Sequence, residues 1–376
     1  MNISSAFAIF ILLTLGSCLQ KSILITRHGA RSPKVYTEID STYYWTIQPE
    51  DLTEIGLQQH VNLGQSKNGL SIIDINGNCI YENLEIQAST TQRVIMSTIG
   101  FLKGLCPNNF QEIIKRYFNE YYAKYSTNIE AWNQIMSSDF QNPLELELHY
   151  FERPNDFMFH GHKKSICPAI KDLKKKIESS EYFKSKEEEF KNRPEFDEVF
   201  DIIKAAYPSK SFKKKSITLS DIQDIFDDYQ SNHAQGFLFP NPSQSAIQYM
   251  QEVVRFLRYY EDNCDSLEHF AQLTEPFKWI ISQLYSTTPL SWYSGHDTNQ
   301  VAILSAISDF QPIIPFASQL EIIVKNEIVM VYYNRQQIQT KFCTDGYFCT
   351  REQTVNYLMQ FIHPNLNSLC GLEIII

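Results

Sequence analysis

Ser22-Ile23-Leu24-Ile25-Thr26 runs directly into Arg27-His28-Gly29-Ala30-Arg31-Ser32-Pro33. The short β-branched run predicts a strand, and the Arg, Gly and Pro that follow predict a loop at its end. That loop places two guanidiniums and one imidazole within five residues. In open α/β sheets, ligands sit beyond the carboxyl ends of the strands. Arg presents a planar fork of donors that matches phosphate oxygens. Gly29 lets the backbone take a tight path, so a bound anion can come close to the imidazole, and Pro33 stiffens the exit.

A second segment has the same design. Leu290–Ser294 reads as a strand, Val301, Ile303, Leu304 and Ile307 recur at helical spacing, and Gly295-His296-Asp297 lies between them. Two such strand-end loops can converge at one edge of a sheet. Thr53 is placed to cap a helix running to about Ser66, Leu84–Ser89 is strand-like, and Val94, Ile95, Ile99 and Leu102 predict another helix. Leu320–Val324 and Ile328–Tyr333 flank Lys325-Asn326-Glu327 as an antiparallel hairpin. The alternation predicts an α/β fold with a central, mostly parallel mixed sheet flanked by helices. The expected core is 19–109 plus 287–376, with 110–286 inserted as a smaller, mainly helical cap. Within that insertion, the mixed charges of Lys171–Lys191 read as a solvated helix face.

With 376 residues, 43% hydrophobic and 20% charged, the chain can fill a sizeable core. A formal charge of −10 argues against general nucleic-acid or anionic-membrane binding, though a few converging Arg residues can still bind an anion. Ala6–Leu15 is a nearly unbroken apolar run followed by Gly16, Ser17 and Cys18, the pattern of a secretory signal peptide over 1–18. No second long apolar run follows, so no membrane anchor is expected in the mature chain. Of the eight Cys, removal of Cys18 leaves seven, enough for up to three disulfides and one thiol, with connectivity left open. Cys343 and Cys349 flank a polar turn suited to a small local loop.

The two loops supply what transfer of a phosphoryl group to nitrogen requires. Several cationic donors must neutralise the phosphomonoester. A neutral imidazole is a competent nucleophile. The departing alkoxide must be protonated, which a carboxylic acid does best in acid. No P-loop, H-E-x-x-H or G-x-S-x-G sequence occurs. His160-Gly161-His162 has no evident carboxylates at metal-ligand spacing and is expected to be a surface or structural element. Neither a metal nor another cofactor is expected.

The pattern resembles the histidine acid phosphatase family, a branch of the histidine phosphatase superfamily. R-H-G-x-R-x-P is complete as Arg27–Pro33, and the H-D motif as Ser294–Thr298. Leu52-Thr53-Glu54-Ile55-Gly56-Leu57-Gln58-Gln59-His60 looks like the family's L-T…G-x-x-Q-H stretch, and Pro315–Ser318 and Val331–Asn334 like its late strands. Cys167-Pro168 and the Cys343/Cys349 pair also sit where such enzymes carry cysteines, whereas about 171–228 matches poorly. The resemblance implies that His28 is the nucleophile that becomes phosphohistidine and that Asp297 is the proton donor. It implies that Arg27, Arg31 and His296 bind phosphoryl oxygens. A further Arg of the family lies in a segment reading S-T-D-x-x-R-T-x-x-S; its counterpart is Arg93 in Ala88–Ser97, where the leading positions hold Ala88, Ser89 and Thr90. The implied protein is a secreted or lysosomal acid phosphatase for small phosphate monoesters, monomeric or homodimeric. The alternatives are a catalytically weak phospho-ligand-binding relative and a phytase of the same superfamily.

Overall fold

The computed structural model describes residues 20–40, 45–67, 71–121, 156–210, 212–237, 240–261 and 265–372. The expected leader, Tyr43, Tyr44 and Cys264 lie outside the described residues.

Strand β1 (Lys21–Arg27) is buried along its whole length. Its central Ile23-Leu24-Ile25, with β-branched Thr26 after it, suits a strand covered on both faces. The chain continues through helix α1 (Glu54–Gln65), capped by Thr53 as its sequence predicts, to strand β2 (Leu84–Ala88) and helix α2 (Gln92–Leu105). Among the described residues from there to Pro289, only helices occur. They are α3 (Phe110–Tyr121), α4 (Phe157–His160), α5 (Ala169–Ser179), α6 (Glu181–Lys191), α7 (Glu195–Ala206), α8 (Leu219–Ala234), α9 (Gln244–Phe256) and α10 (Ser266–Tyr285), together with short 3-10 and π turns. Then come β3 (Leu290–Gly295), α11 (Asp297–Ile307), β4 (Gln319–Lys325) and β5 (Ile328–Tyr333). Two short strands, β6 (Gln336–Gln337) and β7 (Cys349–Thr350), complete the sheet.

The order across the sheet is β2-β3-β1-β4-β5-β6, with β7 also on β5. The sheet is mixed: the parallel ladders join β2, β3 and β1, and the ladders beyond β1 are antiparallel. Its parallel part is the part that carries the two motif loops. The predicted hairpin is β4–β5, turned by Asn326 (φ 51°) and Glu327 (φ 65°). Two left-handed residues in a two-residue loop match the twist of the paired strands.

Alternation along β1 and β3 divides the core. Leu24 and Trp292 pack on one face with Ile95, Ile99 and Phe101 of α2, and Ile23, Ile25 and Tyr293 on the other with α10 and α11. Helices α6 to α9 pack around a separate apolar cluster that includes Phe190, Val199, Ile222 and Val253. Disulfides join Cys79 to Cys106, Cys167 to Cys370 and Cys343 to Cys349.

Candidate active site

Strands β1 and β3 are neighbours in parallel register, with Arg27 opposite Gly295. Both motif loops therefore leave the sheet at one edge, and the His28 amide donates to the Gly295 carbonyl at 2.9 Å. Gly29 is required by close approach: a Cβ there would stand 2.2 Å from the Gly56 carbonyl oxygen. A Cβ on Gly56 would in turn meet the Ala30 oxygen at 2.0 Å.

The L-T…G-x-x-Q-H stretch is the cradle of this loop. Thr53 caps α1 by accepting from the Gly56 amide and donates to the Ala30 carbonyl at 3.0 Å. Gln59 accepts from the Ala30 amide at 2.9 Å, and His60 Nε2 donates to the Arg27 carbonyl at 3.0 Å. Burial lowers the pKa of His60 to about 4, so its ring is a neutral strut. From the other side, Ser318 accepts from the Arg27 amide at 3.1 Å and Ala317 donates to the His28 carbonyl at 3.0 Å. Leu52–His60 and Pro315–Ser318 thus fix backbone beside His28.

His28 Nδ1 lies 2.8 Å from the Gly29 carbonyl oxygen. A carbonyl only accepts, so Nδ1 carries the ring hydrogen and Nε2 keeps a lone pair. Arg93 Nε donates to that lone pair at 3.2 Å. Burial, reinforced by Arg93, Arg27 and Arg31, holds the pKa of His28 well below the usual histidine value. The ring is therefore a neutral imidazole with its nucleophilic nitrogen among cations.

His296 caps α11 and ties its own amide to Asn299 Oδ1 at 2.9 Å, while its Nε2 meets the Ser89 hydroxyl at 3.0 Å. Ser89 belongs to the altered segment before Arg93, so that segment still orients a site residue. Burial, with Arg93 and His160 nearby, also holds His296 well below the usual value. Asp297 is the first residue of α11 and lies 3.9 Å from Arg27 Nη2 and 3.6 Å from Arg258 Nη2. Burial favours its protonated form, but Arg258, Arg27 and Arg31 outweigh this and hold it well below the carboxylate range.

His28, Arg31, Arg93, His296 and Asp297 line one cavity of about 420 Å³. Arg27 lies behind its wall, donating to the Ile314 carbonyl at 2.5 Å and stacked 4.2 Å from the Phe316 ring centroid. Three residues that sequence reasoning missed shape the charge. Asp227 on α8 takes both Nη atoms of Arg31, at 2.7 and 3.2 Å. Glu50 lies 3.5 Å from Arg93 Nη2, and Arg258 follows α9 in a π turn, Leu257–Glu261. Asp227 and Arg258 carry no local motif: Asp227 is one of several Asp along a helix, and Arg258 is one Arg in helical sequence. Glu50, with φ 66°, sits just ahead of the Leu52-Thr53 motif. His160, expected to be a surface or structural element, is buried on the cavity wall with Nδ1 on Asp156 Oδ2 at 2.9 Å. Among the described residues, no three His, Cys, Asp or Glu side chains group as a metal cage needs.

The family model of the histidine phosphatase superfamily (branch 2) matches residues 19–337. The chain belongs to that superfamily. This makes it a phosphatase and accounts for paired R-H-G and H-D loops on adjacent strands. Among solved structures, the Hafnia alvei phytase in complex with myo-inositol hexakis sulphate is 15% identical, with TM-score 0.63 over 95% of this chain and 99% of that one. The Citrobacter braakii phytase is 13% identical, with TM-score 0.62 over 93% and 98%. The Klebsiella sp. ASR1 phytase is 14% identical, with TM-score 0.62 over 95% and 98%. Together they show the α/β histidine phosphatase fold. No curated protein sequence matches the chain.

Proposed function

We propose that this phosphatase is an acid phosphatase that hydrolyses phosphate monoesters through a phosphohistidine on His28. The observation that carries this reading is the tautomer of His28: its hydrogen is held by the Gly29 carbonyl and its Nε2 lone pair is turned toward Arg93, in a cavity shared with Arg31 and His296. Arg31, Arg93 and His296 take the phosphoryl oxygens, and Arg27 adds positive charge from behind. Nε2 attacks phosphorus as the ester oxygen leaves, forming the P–N bond and breaking the P–O bond.

Asp297 delivers the proton to that oxygen. In the unliganded protein three guanidiniums keep it ionised. An incoming phosphoryl anion offsets those cations and raises the affinity of Asp297 for a proton, which a monoanionic ester brings with it. In the second step the Asp297 carboxylate takes a proton from water as the water oxygen attacks phosphorus. The P–N bond breaks, and neutral His28 and phosphate are released.

A phytase-like preference is the second reading. Lys34, Lys163 and Arg258 line the same cavity beyond the phosphoryl contacts, as a substrate with several phosphates requires. Retention of both His28 and Asp297 counts against a weak binding relative. The leader pattern and three disulfides support export, to the medium or a lysosome. Among the described residues no helix is long and apolar enough to cross a membrane.

The test is turnover of aryl and alkyl phosphates and of phytate across pH, with rapid-quench trapping. Acid-labile, base-stable label on wild type and none on His28→Ala is expected. Label on an Asp or Ser, or full activity in His28→Ala, refutes the mechanism.

A further inference from the structure

One imidazole on the cavity wall has no part in the reaction set out above. His160 ends α4, and Asp156 is the N-cap of the same turn. His160 Nδ1 donates to Asp156 Oδ2 at 2.9 Å, and each side chain is only 4% exposed. This leaves Nε2 as the ring position turned away from the carboxylate. The ring lies beside His296, with centroids 5.3 Å apart, and lines the cavity with His28 and Arg93. The corner is built closely: a Cβ on Gly161 would stand 1.9 Å from the Ala271 carbonyl oxygen of α10. An imidazole buried on the wall of an anion site and oriented by a carboxylate is more than the structural element its H-G-H context predicts.

We propose that His160, oriented by Asp156, is a further substrate-contacting residue whose protonated imidazole donates through Nε2 to an oxygen of the bound oxoanion. This rests on the phosphoryl-site reading of the cavity and adds to it a donor that is switched on in acid. The titratable and charged groups around the ring are Asp156, His162 and Lys163 on its own corner, His296 after β3, and Arg93 on α2. Burial depresses the proton affinity of His160, Asp156 opposes that, and Lys163 and Arg93 add to it, for a net lowering. A bound oxoanion works in the opposite direction, so anion binding and protonation of His160 reinforce each other. No bond is made or broken at His160; it contributes one charge-assisted hydrogen bond.

Sulfate is the probe, because its charge stays fixed through the acid range. Calorimetric affinity is measured against pH for the full mature chain, His160→Gln and Asp156→Asn. His160→Gln should bind sulfate about 10-fold more weakly at the acid end, the scale of one charge-assisted hydrogen bond, and equally well at the alkaline end. Asp156→Asn should move the acid-side gain to lower pH without changing alkaline-side affinity, and it serves should the first variant fail to fold. Superimposable pH curves for either variant and wild type overturn the proposal. So does a loss that is uniform in pH, the signature of a structural role. Absence of sulfate binding by wild type at every pH overturns instead the reading of the cavity itself.

Discussion

Replacing Asp227 by Asn keeps the size of the side chain and removes a carboxylate that lines the cavity beside Arg31. The carboxylate holds both Nη atoms of that guanidinium, and its side chain is 20% exposed. An oxoanion bound to Arg31 at about 7 Å from this carboxylate meets, at an effective dielectric of about 20, a repulsion of about 2.4 kcal/mol per unit charge. The cavity is open to water and salt, so roughly half survives, about 1.2 kcal/mol or 5- to 10-fold in affinity. Competitive inhibition by inorganic phosphate, measured with an aryl phosphate at fixed ionic strength, should therefore tighten by about that factor in Asp227→Asn. KM should fall with it. kcat should not rise, because the gain is shared by substrate and product and is not specific to the transition state. An inhibition constant that is unchanged or weaker would show that Asp227 only holds Arg31 in place, and the competition argument would be wrong.

Two further outcomes follow from the same structure. Asp297→Asn should lose about 10²–10⁴-fold in kcat/KM for an alkyl phosphate and distinctly less for a nitrophenyl ester, the pattern of a missing general acid; Arg31→Ala should lose similarly on both, and equal losses in Asp297→Asn would reduce it to a positioning group. Asp228 and Asp40 are buried together, sharing Thr37 and Asn232 as hydrogen-bond partners, with Asp227 and Tyr207 nearby. Burial and Asp40 push the Asp228 carboxyl up to about 8. The folded protein then holds a proton that the unfolded chain releases near pH 4, so stability should fall as pH rises from about 4 to 8. Asp228→Asn should flatten the dependence of melting temperature on pH over that window, and an unaltered slope would mean the carboxyl is ionised throughout.

What the sequence revealed of this site is what the local chain dictates. Arg27–Pro33 and Leu52–His60 are legible because their side chains, or the lack of one, each answer to a neighbouring stretch of backbone. Gly29 lies against Gly56, Gln59 holds the Ala30 amide, and His60 holds the Arg27 carbonyl. Such positions tolerate few residue types, so they survive as patterns. Thr53 marks its helix for the same reason, since only a small oxygen-bearing side chain can both cap α1 and reach Ala30. Asp227 and Arg258 were illegible because their effect is Coulombic and depends on where a helix comes to rest. Asp227 follows Asp224 in an ordinary amphipathic helix, and only the packing of α8 puts one of them on Arg31. The contact of His160 with Asp156 is local, but the place of its ring beside His296 is set by packing and leaves no mark in the sequence.

The position of β3 between β2 and β1 has a consequence for how the protein is made. Trp292 on β3 donates to Thr26 on β1 at 3.0 Å across 266 positions of sequence. Until β3 is synthesised, β1 and β2 have no partner in common, and β1 gains its other neighbour, β4, later still. During translation the N-terminal strands therefore wait with open edges while the chain between Ala88 and Leu290 is added, the situation in which unpaired edges recruit other chains. Contacts so distant in sequence form slowly, because the intervening chain must be closed before any pairing is gained. The Arg27–Pro33 loop and the loop that carries His296 and Asp297 thus meet in one late event, and a chain terminated before Leu290 lacks the middle of its sheet.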